Sequence, residues 1–207
     1  MHKPRESKLI FRFFSWYIRY IIHKDFSRFN FNKVGVRPNA SILLLANHFS
    51  WWDGFLMFYI NKVSFKKKFH VLVNEENYQG VKFLKYLGAF ASKGGGKDIL
   101  ETLDFAATLL DDPSNLVLFF PQGKLQSNHV KAISFEKGIG RIIKTGRENT
   151  EIVFAATFTD YFENRKPMVN TYLSAHAPAV YESLQVLKSA YNRHYQSSLT
   201  KQTEKII

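Results

Sequence analysis

Residues 41–60 read SILLLANHFSWWDGFLMFYI, two apolar segments joined by a polar one. The first six residues form an apolar run that is typical of a buried strand. The run ends at the polar pair Asn47 and His48, and residues 53–60 then predict a helix. A buried strand that leads into a helix is typical of an α/β protein, in which we expect chemistry at the carboxyl ends of the strands.

The same alternation continues to the end of the chain. Further apolar runs predict strands at 69–73, 116–120, 152–159 and 169–173. Helices are predicted at 78–86, at 99–110 with Asp98 as N-cap, at 135–145 with Gly146 as C-cap, and from 182 onward. The sequence therefore predicts an α/β sheet, with a second polar strand end at Pro121-Gln122-Gly123.

The amino-acid composition excludes several classes of protein and suggests the kind of partner. The 207 residues include 29 Lys and Arg against 17 Asp and Glu, a net charge of +12, and no Cys. An apolar fraction of 45% excludes wholesale disorder. The lack of Cys excludes disulfides, a thiolate nucleophile and Cys-ligated metal centres. A basic chain rich in aromatic residues suggests nucleic acid or an anionic membrane surface as its partner.

The excess positive charge is concentrated near the N-terminus, where residues 1–37 contain nine Lys and Arg and two acidic residues. The pattern predicts a helix from residue 9 to 26 that has a narrow polar side and many aromatic residues elsewhere. Arg12 and Arg19 interrupt the apolar run, which excludes a membrane span, and no cleavage site for a signal peptide follows.

We therefore predict that residues 1–37 form a membrane-interface segment, followed by an α/β domain over 38–207. The alternative is a helix that packs on the protein's own core and leaves its Arg residues in solvent. The predicted membrane-binding residues are Arg12, Phe13, Phe14, Trp16, Tyr17 and Arg19.

His48 and Asp53 are the strongest candidates for catalysis. Five positions apart on one helix they would point in different directions, so they converge only if His48 precedes the helix and Asp53 lies in its first turn. A carboxylate at one imidazole nitrogen fixes the tautomer and makes the other nitrogen a general base. The alternative is a histidine that merely ends a strand.

Asn47, His48 and Asp53 resemble the His-X4-Asp motif of the glycerolipid acyltransferase superfamily, whose common bacterial member is PlsC-like 1-acylglycerol-3-phosphate acyltransferase. The stretch from Gly88 to Lys93 resembles the second block of the family. Residues 120–123, Phe-Pro-Gln-Gly, resemble its Phe-Pro-Glu-Gly block, and 152–159 takes the place of its final hydrophobic block.

The resemblance implies a mixed sheet flanked by helices, behind an N-terminal amphipathic segment. It implies a peripheral acyltransferase on the cytoplasmic face of the cell membrane that acts in phospholipid biosynthesis. The acyl donor would be acyl-CoA or acyl carrier protein, and the acceptor would be a lysophospholipid, first of all 1-acylglycerol-3-phosphate. His48 would be the base and Asp53 would orient it, with no cofactor and no metal.

The departures from the family pattern concern the acceptor. Gln122 replaces the family's Glu, Lys93 replaces the Arg of the second block, and Lys124 and Leu125 stand where Thr and Arg usually follow the third block. The family associates these Arg positions with the acceptor phosphate, which Lys93 and Lys124 could still bind. The implied acceptor-binding set is Lys93, Gln122, Gly123 and Lys124, and Asn47, Gly88, Phe120 and Pro121 would support the site. Because Lys lacks the bidentate fork of Arg, an acceptor without phosphate, such as a hydroxylated pigment or an amino-acid lipid, stays open.

A basic nucleic-acid-binding protein is the alternative from another class. The charge lies on an apolar amphipathic segment, and the sequence shows no RNP-like motif or zinc-ligand spacing. We therefore expect no nucleic-acid partner.

Overall fold

The computed structural model describes residues 1–144, 149–177 and 183–205. It contains a seven-stranded sheet in the order β1-β7-β6-β2-β5-β3-β4. All neighbouring strands are parallel except β6 and β7, so the sheet is mixed. The strands are β1 Arg28–Phe31, β2 Ser41–Ala46, β3 Lys68–Val73, β4 Ala89–Ala91, β5 Asn115–Phe119, β6 Thr150–Asp160 and β7 Met168–His176.

Helices cover both faces of this sheet. They are α1 Lys8–Asp25, α2 Asp53–Ile60, α3 Glu75–Gly80, α4 Gly96–Leu109, α5 Ile139–Lys144 and α6 Leu184–Thr203. A π-helical turn, Asn61–Phe65, extends α2, and a 3₁₀ turn, Leu84–Leu87, precedes β4. The predicted α/β class, with helices flanking a mixed sheet and an N-terminal helix, is confirmed.

The central strand β2 shows why the core has two layers. Ile42 and Leu44 pack with α1 and α2 on one face, whereas Leu43 and Leu45 pack with α4, α5 and α6 on the other. Every residue of β2 is therefore buried, as expected for a parallel strand covered on both sides.

Two neighbouring strands end at the same place. β2 pairs with β5 in parallel, with Leu45 opposite Phe119. The loops that follow these strands begin at Asn47 and Phe120, so they meet at one edge of the sheet. This is the edge where the sequence predicts the site.

Several predicted elements differ from the structure. The helix predicted at 78–86 is instead α3, capped by the Asn74 side chain, followed by the 3₁₀ turn. Asp98 is not an N-cap but lies inside α4, where its carboxylate accepts hydrogen bonds from Ser92 Oγ and from the Lys93 backbone. The helix predicted at 135–145 starts only at Ile139, and Gly146 lies outside the described residues.

β1 was not predicted. It lies within the basic N-terminal segment and pairs with β7, so residues 28–31 add the edge strand of the sheet. Its side chains alternate between exposed and half-buried, and four such residues give too short a pattern to detect. The boundary between 1–37 and 38–207 stays a prediction.

The first helix has two apolar sides. Ile18, Ile21 and Ile22 are buried against the core, whereas five apolar side chains on the opposite side are exposed. Those five are Leu9, Phe13, Trp16, Tyr17 and Tyr20. Among the described residues, no helix has the length and hydropathy needed to cross a bilayer.

Candidate active site

His48 and Asp53 meet at the end of β2. The Nδ1 atom of His48 lies 3.0 Å from Oδ2 of Asp53, which is the first residue of α2. The same carboxylate oxygen accepts hydrogen bonds from the backbone N–H groups of Phe49, at 2.6 Å, and Ser50, at 2.8 Å. The Asp53 carboxylate therefore shapes the loop and orients the imidazole at once.

The tautomer of His48 follows from this contact. A carboxylate can only accept, so Nδ1 carries the proton and Nε2 keeps its lone pair in the neutral ring. Asp53 is buried and His48 is half-buried. This arrangement suits a general base.

The loop after β5 packs on His48. The Phe120 ring stacks on the imidazole with the ring centroids 4.0 Å apart. The Gln122 side chain accepts a hydrogen bond of 2.6 Å from the backbone N–H of His48. Pro121 is buried, and its carbonyl accepts from Glu136 N at 2.8 Å, which ties this loop to the segment before α5.

The Asn47 side chain connects the end of β2 to β6, the strand on the other side of β2 from β5. Its side-chain amide donates to the Thr157 carbonyl at 3.0 Å and accepts from the Thr157 N–H at 2.7 Å. Asn47 is buried, and both halves of its amide bond the Thr157 backbone.

A cavity of about 660 Å³ opens beside His48. Gly54, Phe55 and Phe58 on one side of α2 contribute to its wall, as does Trp51 from the turn before α2, and the wall is mostly apolar. The rest of the lining comes from β3, from α3 and its N-cap, from the segment 81–87, from Ser92 and Gly94, from α4, and from the end of β5 with the loop after it. Such a volume with an apolar lining suits a ligand with a long hydrocarbon part.

The rim of this cavity is apolar and open to solvent. Trp51, Ile99 and Leu125 all line the cavity, and each is about half exposed. Trp52, which follows Trp51 in the sequence, packs instead against Phe26. A rim of this kind offers apolar contacts to a water-insoluble ligand at the entrance of the cavity.

The predicted acceptor-binding residues separate into two groups. Gly123 and Lys124 line the cavity together with His48. Lys93 is exposed between two lining residues, Ser92 and Gly94, but does not itself line the cavity. Gln122 is fully buried, and its side-chain oxygen accepts a hydrogen bond from the His48 backbone N–H.

Gly88 lies outside the cavity lining, in the turn before β4. Its φ is +95°, and a Cβ atom there would lie 1.8 Å from the Phe69 carbonyl oxygen. Only glycine fits this turn into β4. The described residues contain no group of three or more His, Cys, Asp or Glu side chains that could hold a metal ion.

A known protein family matches the part of the chain that contains the His48–Asp53 pair. A family model described as Acyltransferase matches residues 28–155, which is well over half of the chain. The chain belongs to the acyltransferase family, the glycerolipid or PlsC-like acyltransferases. The match starts at β1 and ends in β6, so it contains both His48 and Asp53. The comparison with curated proteins finds no match.

The family assignment confirms the predicted resemblance and supports acyltransferase activity in general. Sequence reasoning missed Gln126, whose backbone N–H donates to the His48 carbonyl at 3.1 Å. It also missed Gly54, which leaves room for the cavity. Neither residue belongs to a recognisable motif, and both depend on how the loops pack.

Proposed function

We propose that this acyltransferase moves a fatty acyl group from an acyl thioester to the hydroxyl group of a lipid acceptor. The observation that carries the proposal is the His48–Asp53 pair, with Nδ1 and Oδ2 3.0 Å apart, at the mouth of an apolar cavity. The donor is acyl-CoA or acyl carrier protein, whose acyl chain would occupy the cavity.

The chemistry follows from the free nitrogen of His48. Nε2 removes the proton of the acceptor hydroxyl as its oxygen attacks the thioester carbonyl carbon. The tetrahedral intermediate then collapses, the carbon–sulfur bond breaks, and the leaving thiolate takes the proton from the imidazolium. The Asp53 carboxylate stabilises the positive charge that His48 carries between the two proton transfers.

The acceptor is proposed from the one cation in the described lining. Lys124 adds a positive charge to the lining beside Gly123, and Glu75 adds a negative charge from α3. The anionic group of the acceptor would therefore bind at Lys124. We propose 1-acylglycerol-3-phosphate, the acceptor that the family resemblance implies, and hence a role in phospholipid biosynthesis. A lysine holds phosphate as a point charge, so an acceptor without phosphate is the alternative.

The exposed side of α1 supports attachment to a membrane. Leu9, Phe13 and Trp16 point away from the core, and Arg12 and Arg19 are exposed on the same helix. Aromatic residues flanked by cations bind the interface of an anionic bilayer. Phe14 does not share this side, because it stacks on Phe83 with the ring centroids 4.1 Å apart. We propose the cytoplasmic leaflet as the attachment site because its anionic lipids match this charge.

The test is an acyl-transfer assay with labelled acyl-CoA and two acceptors that differ only in the phosphate, 1-acylglycerol-3-phosphate and 1-acylglycerol. We expect transfer to the phosphate-bearing acceptor and its loss in His48→Ala. His129→Ala is the matched control, since His129 is exposed and outside the cavity lining, and it should keep full activity. Unchanged activity in His48→Ala would contradict the proposed base.

The same assay decides between the acceptors. Lys124→Ala should raise the KM for 1-acylglycerol-3-phosphate and leave transfer to 1-acylglycerol unchanged. If the enzyme acylates 1-acylglycerol but not 1-acylglycerol-3-phosphate, the proposed phosphate acceptor is wrong and the alternative without phosphate is supported.

A further inference from the structure

The loop after β5 holds His48 at three points. Phe120 covers one face of the imidazole, the Gln122 side chain accepts from the His48 N–H, and the Gln126 N–H donates to the His48 carbonyl. Both backbone groups of His48 are thus bound by a single loop that starts on the neighbouring strand.

The Gln122 amide lies in a short chain of hydrogen bonds, and its orientation follows from the His48 N–H, which can only donate. Gln126 Nε2 donates to Ser134 Oγ at 3.1 Å, which leaves Gln126 Oε1 to accept from Gln122 Nε2 at 2.9 Å. The remaining oxygen, Gln122 Oε1, faces the His48 N–H at 2.6 Å. Every polar atom of the Gln122 side chain is therefore engaged inside the protein.

From this geometry we infer that Gln122 is a positioning residue that fixes the backbone of His48 and does not contact the acceptor. The inference rests on the proposed function, in which His48 is the base. Asp53 fixes the ring of His48 and the N–H groups of the next two residues, whereas Gln122 fixes the N–H of His48 itself.

The position of the base matters because proton transfer depends steeply on distance. A misplacement of about 1 Å at a reacting group can cost on the order of a hundredfold in rate. A residue that only positions the base should change kcat and leave the KM of the acceptor unchanged, whereas an acceptor-binding residue should change KM.

The experiment compares Gln122→Met with Gln122→Glu. Methionine fills a similar volume but has no oxygen to accept from the His48 N–H. Glutamate keeps an oxygen at that place. Its second oxygen can accept from the Gln126 amide once that amide turns round. We expect kcat to fall by about ten- to a hundredfold in Gln122→Met, with the acceptor KM within about twofold. Gln122→Glu should recover most of this loss. Gln79→Met, at an exposed glutamine of α3, is the control and should match the unaltered protein.

A second measurement does not depend on turnover. Hydrogen exchange of the His48 amide, followed by NMR, should become at least about tenfold faster in Gln122→Met. The amides of Phe49 and Ser50, held by Asp53, should exchange at their original rates and serve as internal references. If no transfer is found with any acceptor, the proposed function fails, while the exchange rates still test the role of Gln122.

Two results would overturn the inference. One is a higher acceptor KM at unchanged kcat in Gln122→Met. The other is a His48 amide that exchanges equally slowly in that variant and in the unaltered protein.

Discussion

The imidazole of His48 and the ring of Phe120 are stacked, with centroids 4.0 Å apart and planes inclined by 16°. The two residues are 72 positions apart, but each follows one of two adjacent parallel strands, β2 and β5. Phe120 restricts the plane of the imidazole, and Asp53 restricts its rotation in that plane through Nδ1. The orientation of the base is therefore set by two elements that are distant in sequence.

Replacement of Asp53 by Asn isolates the role of its charge. A single oxygen, Oδ2, accepts from His48 Nδ1 and from the two backbone N–H groups. An Asn side chain can place its own oxygen there and keep all three hydrogen bonds, but it cannot stabilise an imidazolium by charge. We expect kcat/KM to fall by about 10²-fold or more, with the fold retained.

Steady-state kinetics and thermal unfolding check the Asp53→Asn prediction. Asp104→Asn is the control, because Asp104 is an exposed carboxylate that pairs with Arg141 away from the cavity. Activity of Asp53→Asn within twofold of the original would show that the carboxylate charge is not needed.

The sequence could predict the His48–Asp53 pair because the constraint is local. A strand end and the first turn of the next helix lie within six residues, so the two side chains meet once the strand and the helix are placed correctly. The α/β class was also predictable, since buried strands such as β2 are continuous apolar runs.

Gln122 shows where such prediction stops. Its block resembles an acceptor-binding one, but whether a side chain faces the cavity or the neighbouring loop depends on the packing of β5 against β2. The same holds for α1: periodicity indicates an amphipathic helix, but only the packing shows that Phe14 faces Phe83 while Phe13 is exposed.

Gly54 provides a test of the acyl cavity. It lines the cavity in the first turn of α2, and an added Cβ atom would meet nothing within 4 Å. Gly54→Leu should therefore fold normally and fill part of the cavity. We expect kcat/KM for a long-chain acyl-CoA to fall by about tenfold or more, with little change for a short-chain donor.

Donors of graded chain length measure this preference in one assay. Gly54→Ala is the matched control and should produce a smaller shift in the same direction. Equal losses for long and short donors in Gly54→Leu would mean that the acyl chain binds elsewhere.

The exposed side of α1 can be tested without the enzyme assay. Phe13 and Trp16 are 54% and 60% exposed, and their ring centroids lie 6.1 Å apart. Changing both to Glu adds two negative charges to the proposed membrane surface and removes its apolar area. We expect binding to anionic liposomes to weaken by about tenfold or more, measured by sedimentation, with no loss of thermal stability.

Val186→Glu is the control for liposome binding, because Val186 is a half-exposed apolar residue on a different helix, α6. It should sediment like the unaltered protein. Unchanged sedimentation of the Phe13 and Trp16 double variant would show that the exposed side of α1 does not bind the membrane.

Acid should destabilise the protein through His70. This residue of β3 is buried, its Nδ1 has no hydrogen-bond partner, and burial lowers its pKa from 6.5 to about 4. The unfolded chain then binds a proton below pH 6.5 that the folded protein does not bind until about pH 4. Stability should thus fall as the pH drops through this window, by about 2 kcal/mol at pH 5 from this group.

Denaturant unfolding at pH 7.5 and pH 5 measures the His70 contribution. His70→Gln can keep a hydrogen bond to Asn115 without a titrating ring, so it should lose less stability between the two pH values than the unaltered protein. His129→Gln, at an exposed histidine, should behave like the unaltered protein. If all three proteins lose the same free energy of unfolding between pH 7.5 and pH 5, groups other than His70 cause the acid sensitivity.

The turn before β4 should be the position least tolerant of a methyl group. At Gly88 a Cβ atom would lie 1.8 Å from the Phe69 carbonyl oxygen, and the φ of +95° disfavours any other residue. Since Phe69 is in the paired part of β3, the backbone cannot move aside without breaking the sheet. Gly88→Ala should lower the free energy of unfolding by about 3 kcal/mol or more. Gly80→Ala, at a glycine with open space around it, should change it by no more than about 1 kcal/mol, and a similar value for Gly88→Ala would show that the turn can relax.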